Sequence, residues 1–316
     1  MGGAIIKRLI VAVPMLIGSS IIVFMILRLV PGDPASAVLG ADATPQLVRQ
    51  VREQLGLDHP IYAQYVSWLG GILHGSFGHD YISDQSIASE LASRLPVTLE
   101  LAGLAFLISA ACAIPLGVFA AVHFGRPADR SVQVISAVGV AVPDFVLGIM
   151  GILVFSLALG LVPSSGFVPL SQSVAGNLHS LILPAAALAA GLAGVLTRIT
   201  RATMVEVLDT DYIRFARARG VRQSSVVFKH ALRNAAIPIV TVAGLQLGYL
   251  LGATVIIEQV FSIPGVGQLV VQAMLNRDYP VVQACVLVFV VAFVIVNLVA
   301  DLAYTVLNPK LRRAGA

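Results

Sequence analysis

The chain has 316 residues, 58% of them apolar and 11% charged, with a mean hydropathy of +0.91. Soluble domains carry about 45–50% apolar residues and roughly a quarter charged, so a water-soluble enzyme is excluded, as is a disordered chain, whose mark is high polarity. The excess of 20 Lys and Arg over 16 Asp and Glu follows from where these charges lie along the chain and calls for no nucleic acid.

A helix crossing the hydrocarbon needs about 20 apolar residues. Stretches free of Asp, Glu, Lys and Arg cover 9–27, 101–125, 145–197, 234–257 and 279–300. The third is too long for one crossing and divides at Pro163-Ser-Ser-Gly-Phe-Val-Pro169, a breaker cluster that reads as a loop. The predicted spans are therefore 9–30, 97–122, 132–160, 179–200, 234–257 and 281–306, giving an all-α polytopic membrane protein with six transmembrane helices.

The first span follows Lys7-Arg8, and Ala35-Ser-Ala37 resembles a signal-peptide cleavage site. The apolar run is too long for a signal peptide and Arg28 interrupts it, so the span reads as uncleaved. Within 31–96, Thr44-Pro45 is an N-cap followed by Pro at the first helical position, Leu47, Val48, Val51 and Leu55 share a face, and Gly56 ends the helix. A second helix starts at Asp58-His-Pro60 and carries Tyr62, Tyr65 and Trp68, residue types enriched at membrane interfaces. His59, His74 and His79 with Asp58 and Asp80 match no common metal-ligand spacing, and no metal site is assigned. Cys112 and Cys285 lie in apolar runs as packing residues.

In the third span Asp144 follows Pro143, where a kink can expose polar backbone. An ionisable residue inside a span is a functional candidate, and Asp144 is a candidate for a translocation path, where it can meet the cationic amino terminus of a peptide. A polar packing contact with a neighbouring span is the alternative. Glu100, Glu258 and Asp301 sit nearer span ends, where water is expected to reach them, and receive no role.

Between the fourth and fifth spans, Asp209, Thr210 and Asp211 precede Arg214, Arg217 and Arg219, with Gly220 after them. Acid first, base last and Gly at the end mark a short helix that complements its own dipole. Tyr212, Phe215, Ala216 and Arg219 fall on one face, which lies either on the lipid surface or in a partner's groove. The fifth span carries Gly244, Gly248 and Gly252 four residues apart, a seam that lets helix backbones approach. With the N-terminus inside, fifteen of the 20 Lys and Arg are cytoplasmic, eight of them between Arg198 and Arg233, which predicts an N-in, C-in topology. The chain divides into an N-terminus with the first span (1–30), an extracytoplasmic segment (31–96), a five-span core (97–309) with loops 198–233 and 258–280, and a cytoplasmic tail (310–316).

At 214–233 the chain resembles the EAA loop of permease subunits in binding-protein-dependent ABC importers. The family pattern is Glu-Ala-Ala, three residues, Gly, nine residues, a hydrophobic residue, one more, and Leu-Pro. Here Arg214-Phe215-Ala216 occupies the triplet and Ala216, Gly220 and Leu232 match, while the Glu and the Pro are replaced. Asp211-Tyr-Ile-Arg-Phe-Ala-Arg-Ala-Arg-Gly220 and His230-Ala-Leu-Arg-Asn-Ala-Ala-Ile-Pro238 resemble the dipeptide/oligopeptide/nickel branch, which shares these departures. So do Pro31-Gly-Asp-Pro34, Leu55-Gly-Leu-Asp-His-Pro60, Gly75-Ser-Phe-Gly78, Glu258-Gln-Val-Phe-Ser-Ile-Pro-Gly-Val-Gly-Gln268, Asp278-Tyr-Pro280 and Leu307-Asn-Pro309. The large external segment resembles that of the first of the two permease subunits, the B-type subunit of dipeptide importers.

The resemblance implies a type I importer permease (MetI-like) fold in a bacterial cell membrane, a second permease, two cytoplasmic ATPase domains and an extracytoplasmic substrate-binding protein. ATP and Mg would be bound on the ATPases; this chain has no Gly-Lys dipeptide and hence no phosphate-binding Walker loop, and no cofactor is expected in it. It implies that 209–220 is a coupling helix with Tyr212, Phe215 and Ala216 as its knob, Arg219 at the rim and Gly220 at the turn. It also implies that Pro264, Gly265, Val266 and Gly267 face the binding protein, and that the glycine seam packs either within the chain or against the second permease. Dipeptides, oligopeptides, glutathione and nickel all fall within the branch. Two readings from other classes stand beside it: a proton-coupled secondary transporter using Asp144 and Glu258, and an intramembrane hydrolase using Ser164 or Ser165, for which only His179 lies in the same stretch.

Overall fold

The computed structural model describes residues 2–29, 44–54, 58–81 and 83–307. Pro31-Gly-Asp-Pro34, Ala35-Ser-Ala37, Leu55-Gly56, Asn308-Pro309, the tail 310–316 and the side chains of Arg28 and Asp301 lie outside what is described. Helix α1 spans Gly2–Leu29, α2 Pro45–Gln54 and α3 Ile61–Leu73. Both predicted external helices are present, and Thr44 caps α2 through its Oγ1, which accepts the Leu47 N–H at 3.3 Å. The aromatics of α3 turn toward the first helix rather than outward alone: Tyr65 and Trp68 stack on Phe24 at ring separations of 5.5 and 5.6 Å, and the Tyr65 hydroxyl bonds Ser20 Oγ at 2.8 Å.

The centre of the bundle is a pair of long helices, α4 (Ile87–Val122) and α7 (Val174–Leu208), packed along their length. At Gly117 the approach is so close that a Cβ would stand 2.8 Å from the Thr197 carbonyl. Between them in sequence, α5 (Pro127–Ala141) and α6 (Asp144–Gly151), the latter continuing as a wide-turned helix over Ile152–Ala158, meet at an angle of 99°. The short α8 (Asp211–Ala218) is followed by a wide turn over Val226–Ala231, then α9 (Leu232–Val260), α10 (Val266–Leu275) and α11 (Tyr279–Leu307). Among the described residues four helices, α4, α7, α9 with its leading turns, and α11, are long and apolar enough to cross a membrane, and the bent α5–α6 pair makes a fifth if it counts as one span. The apolar part of α1 whose side chains are described, Ile10–Met25, is shorter.

The single span predicted over 132–160, with its kink at Pro143, is a sharply bent pair of helices, and α4 begins at Ile87 instead of 97. The extra turns of α4 are polar on one side, where Glu90 and Arg94 pair at 3.1 Å, so hydropathy alone hides them. The expected loop 258–280 contains a helix, α10.

The core falls into three clusters. Leu101, Leu181, Leu188, Leu250, Ile257 and Phe261 fill one end of the bundle; Leu196, Met204, Ile213, Val226 and Ile239 fill the opposite end. Ile87, Leu91, Val266, Leu269, Val281 and Cys285 join α4, α10 and α11.

At the Phe261 end, Asp278 ties the 78–86 segment to α11. Its carboxylate is 3% exposed and accepts the N–H of Tyr81 at 3.0 Å and of Val281 at 3.3 Å. Burial, and then the neighbouring Asp80 carboxylate, push Asp278 up to about 7. From the ordinary aspartate value of about 3.9 up to that point the folded chain holds a proton that the unfolded chain has lost. Stability therefore falls as pH rises through this window and levels off above it. Asp278→Asn keeps an acceptor for Tyr81 and removes the titration. Thermal unfolding in detergent should show the wild type losing ground to Asp278→Asn between about pH 4 and 7 and no further above that; parallel curves would refute the assignment.

Candidate functional site

Three features carry the functional geometry. The first is the break between α5 and α6. Proline disfavours a helical conformation in the residue before it, and Val142 is extended at ψ 125 ahead of Pro143 at ψ 141. Asp144 is then the first residue of α6, half-buried, on a cavity of about 420 Å³ between α5, α6, α7 and α9. Gly191 on α7 makes room for the carboxylate, since a Cβ there would lie 3.0 Å from Asp144 Oδ1. No N–H or side chain among the described residues bonds or pairs with Asp144. The alternative of a polar packing contact is thus without a partner here.

The second feature is α8 at the Ile213 end. Ile213 is fully buried and anchors the helix, while Tyr212 is 45% and Phe215 68% exposed. Ala216 is half-buried and Arg219 exposed, so Tyr212, Phe215 and Arg219 of the predicted stripe are presented outward from a helix held at Ile213. Arg214 closes on Asp209 at 2.7 Å, and the Tyr212 hydroxyl accepts from Asn234 Nδ2 at 2.7 Å. Gly220 has φ +76, a left-handed turn suited to glycine. Nearby, Arg201 grips Asp129 through two bonds, Nη2 to Oδ2 at 2.8 Å, and lies over Phe124, locking α7 to α5. Sequence reading missed this pair, because α5 was counted only by its cations.

The third feature is the turn after α9, and here two expectations are corrected. Glu258 was expected near water; it is fully buried. Its carboxylate accepts from Thr98 Oγ1 at 2.7 Å and from the Gln268 N–H at 2.9 Å, while Thr98 Oγ1 accepts the Val266 N–H at 2.9 Å. Gly265, Val266 and Gly267, expected to present a surface, are buried around this carboxylate, and only Pro264 of the four is exposed. A Cβ at Gly265 would run into the Glu258 carboxylate, and one at Gly267 would lie 2.5 Å from Val255 Cα. These glycines build the turn rather than display it. The signal available in the sequence was the spacing of Glu258 to two glycines beyond a proline.

The glycine seam divides. A Cβ at Gly244 would strike Ala300, and one at Gly248 would come 2.7 Å from Phe293 Cδ2, so both pack against α11 of the same chain; nothing lies near Gly252. His179 Nε2 bonds the Leu161 carbonyl at 2.8 Å, not Ser164 or Ser165.

Residues 113–313 match the family described as binding-protein-dependent transport system inner membrane component, and residues 1–102 match its N-terminal companion. The chain belongs to this family. The permease is 43% identical over 312 residues to a peptide transport system permease protein of Brucella abortus, covering 99% of each chain. It is 42% identical over 308 residues to the glutathione transport system permease protein GsiC of Escherichia coli, covering 98% of each. Its fold matches the inward-facing MetNI methionine ABC transporter with a TM-score of 0.59 at 20% identity, over 69% of this chain and 96% of that one. The permease is accordingly a non-catalytic ABC importer subunit whose ATPase resides on separate subunits, which sets aside the secondary-transporter and hydrolase readings.

Removing the Glu258 side chain strands the Thr98 hydroxyl and the Gln268 N–H, each costing about 1–3 kcal/mol. Glu258→Ala should therefore unfold at markedly lower temperature in detergent than Glu258→Gln, which keeps an acceptor. Equal losses would show that the hydrogen bonds are unimportant.

Proposed function

We propose that the permease crosses a bacterial inner membrane six times with both termini in the cytoplasm. In this reading it forms half of the path for short peptides handed over by an extracytoplasmic binding protein. A second permease completes the path, and two cytoplasmic ATPase domains drive it. The observation that carries the reading is α8, an aromatic stripe left outside the fold next to the densest cluster of cations in the chain. Cations concentrate on the cytoplasmic side, and an amphipathic helix with an open apolar face fits a partner's groove. The α1 helix supplies the sixth crossing. The names of the two relatives support a peptide-like cargo, glutathione being the second reading within it.

In this reading Tyr212, Phe215 and Ala216 seat in the ATPase, Arg219 contacts its rim, and Gly220 turns the chain back. Pro264 is the residue of the 264–267 turn that meets the binding protein, and Gly252, with open space around it, faces the second permease. Asp144 lines the path.

Purification of the permease from its native membrane in mild detergent, with mass spectrometry of what accompanies it, tests the assembly. A second permease, ATPase subunits and a binding protein are expected; a chain that stays alone yet transports without ATP overturns the proposal. Ala216→Asp places a charge in the knob, and Gly220→Pro forces φ away from +76. Both should abolish uptake while leaving the chain in the membrane, and normal uptake by either would sink the coupling assignment.

A further inference from the structure

We propose that the cavity at the α5–α6 break is a site for a primary ammonium group, the amino terminus of a peptide in transit, built from Asp144, Gln246 and Tyr249. The inference rests on the importer reading and narrows its cargo. Three polar side chains face the cavity, and its other lining residues are apolar or glycine. Asp144 stands on one wall at the start of α6. Gln246 and Tyr249, three residues apart on α9, share a face and form the other. Among the described residues none of the three side chains makes a hydrogen bond, and no Lys, Arg or His lines the space.

A carboxylate at membrane depth is costly unless a cation or a hydrogen-bond donor meets it. Two buried carboxylates at span ends are partnered within the chain: Asp129 by Arg201, and Glu258 by Thr98 and a backbone N–H. Asp144 alone of the three is left open onto a cavity, and Gly191 keeps the approach to it unobstructed. A cargo that carries a cation would supply the partner that the described residues do not. The chemistry selects among cargoes. A transition-metal ion needs several N, S or O ligands, and this cavity offers one carboxylate with no His or Cys, which disfavours bare nickel. An anionic group would be repelled. An ammonium satisfies Asp144, and the Gln246 amide and Tyr249 hydroxyl can bond the first peptide unit behind it. The aliphatic remainder, from Leu188, Leu192, Leu250 and Ile257, offers an apolar wall without polar groups that would select a particular side chain. The volume of about 420 Å³ lies within the usual range of small-ligand sites, about 300–1,000 Å³.

The test uses the complete transporter in proteoliposomes with its binding protein and ATP. Dialanine, pentaalanine and glutathione serve as probes, since all three carry a primary ammonium. In a background with Cys112 and Cys285 replaced by Ala, Asp144→Cys should lower uptake at least tenfold. Modification with an anionic sulfonatoethyl thiol reagent should restore it severalfold, whereas a cationic aminoethyl reagent should not. Gln246→Leu and Tyr249→Phe, which leave the charge in place, should raise KM for uptake with kcat little changed. Undiminished uptake by Asp144→Cys, equal rescue by both reagents, or no rescue after labelling is verified by mass would each overturn the site. A wild-type assembly that moves none of the probes would instead overturn the peptide reading, so the two failures are distinguishable.

Discussion

In hydrocarbon, a backbone N–H or C=O without a partner costs several kcal/mol, so a chain can leave the helix at membrane depth only inside protein or beside a water-filled space. This permease breaks the helix in two contrasting ways, once just beyond the end of a span and once within one. At Phe261–Gly265 the departure is sealed: the Glu258 carboxylate and the Thr98 hydroxyl take up the N–H groups that begin α10, and two glycines let the backbone close over them. At Val142-Pro143 the departure is open, and the break faces a cavity with an unpaired carboxylate at its rim. One interruption is closed by its own polar groups and the other borders a cavity, and the difference lies in whether those groups find partners among the described residues.

The two ends of the bundle contrast in the same way. The Phe261 end is cross-braced: Gly166 donates to the Phe261 carbonyl at 2.9 Å, Asp278 holds Tyr81, and α3 is stacked on α1. The opposite end joins α5 to α7 through Asp129 and Arg201, yet leaves α8 standing on Ile213. Cross-bracing gathers where the 261–265 turn keeps its shape, while the opposite end offers an aromatic face outward.

Much of this was legible in the sequence because apolar runs and breakers speak directly to where helices and loops fall. The external helices, the short helix at 211–218 and the glycine after it followed from caps and periodicity. What escaped was the fate of individual charges. Hydropathy places Glu258 near a span end and so near water, but burial depends on α10 folding back over it, which no local pattern announces. Asp129 and Arg201 are 72 residues apart and meet only because α5 lies against α7. The bend at Pro143 was foreseen as a kink; its 99° angle depends on the packing of α6 against α7 and α9, a tertiary matter.

The attachment of α8 has a mechanical consequence. An eight-residue helix is about 12 Å long, and a single fully buried side chain near its first turn fixes it to the bundle. The Tyr212–Asn234 and Arg214–Asp209 bonds act at the same turn, so the contacts that hold α8 gather at its first turn. One end of a short helix is thereby tied at once to the end of α7 and the start of α9, and a displacement of that end reaches both.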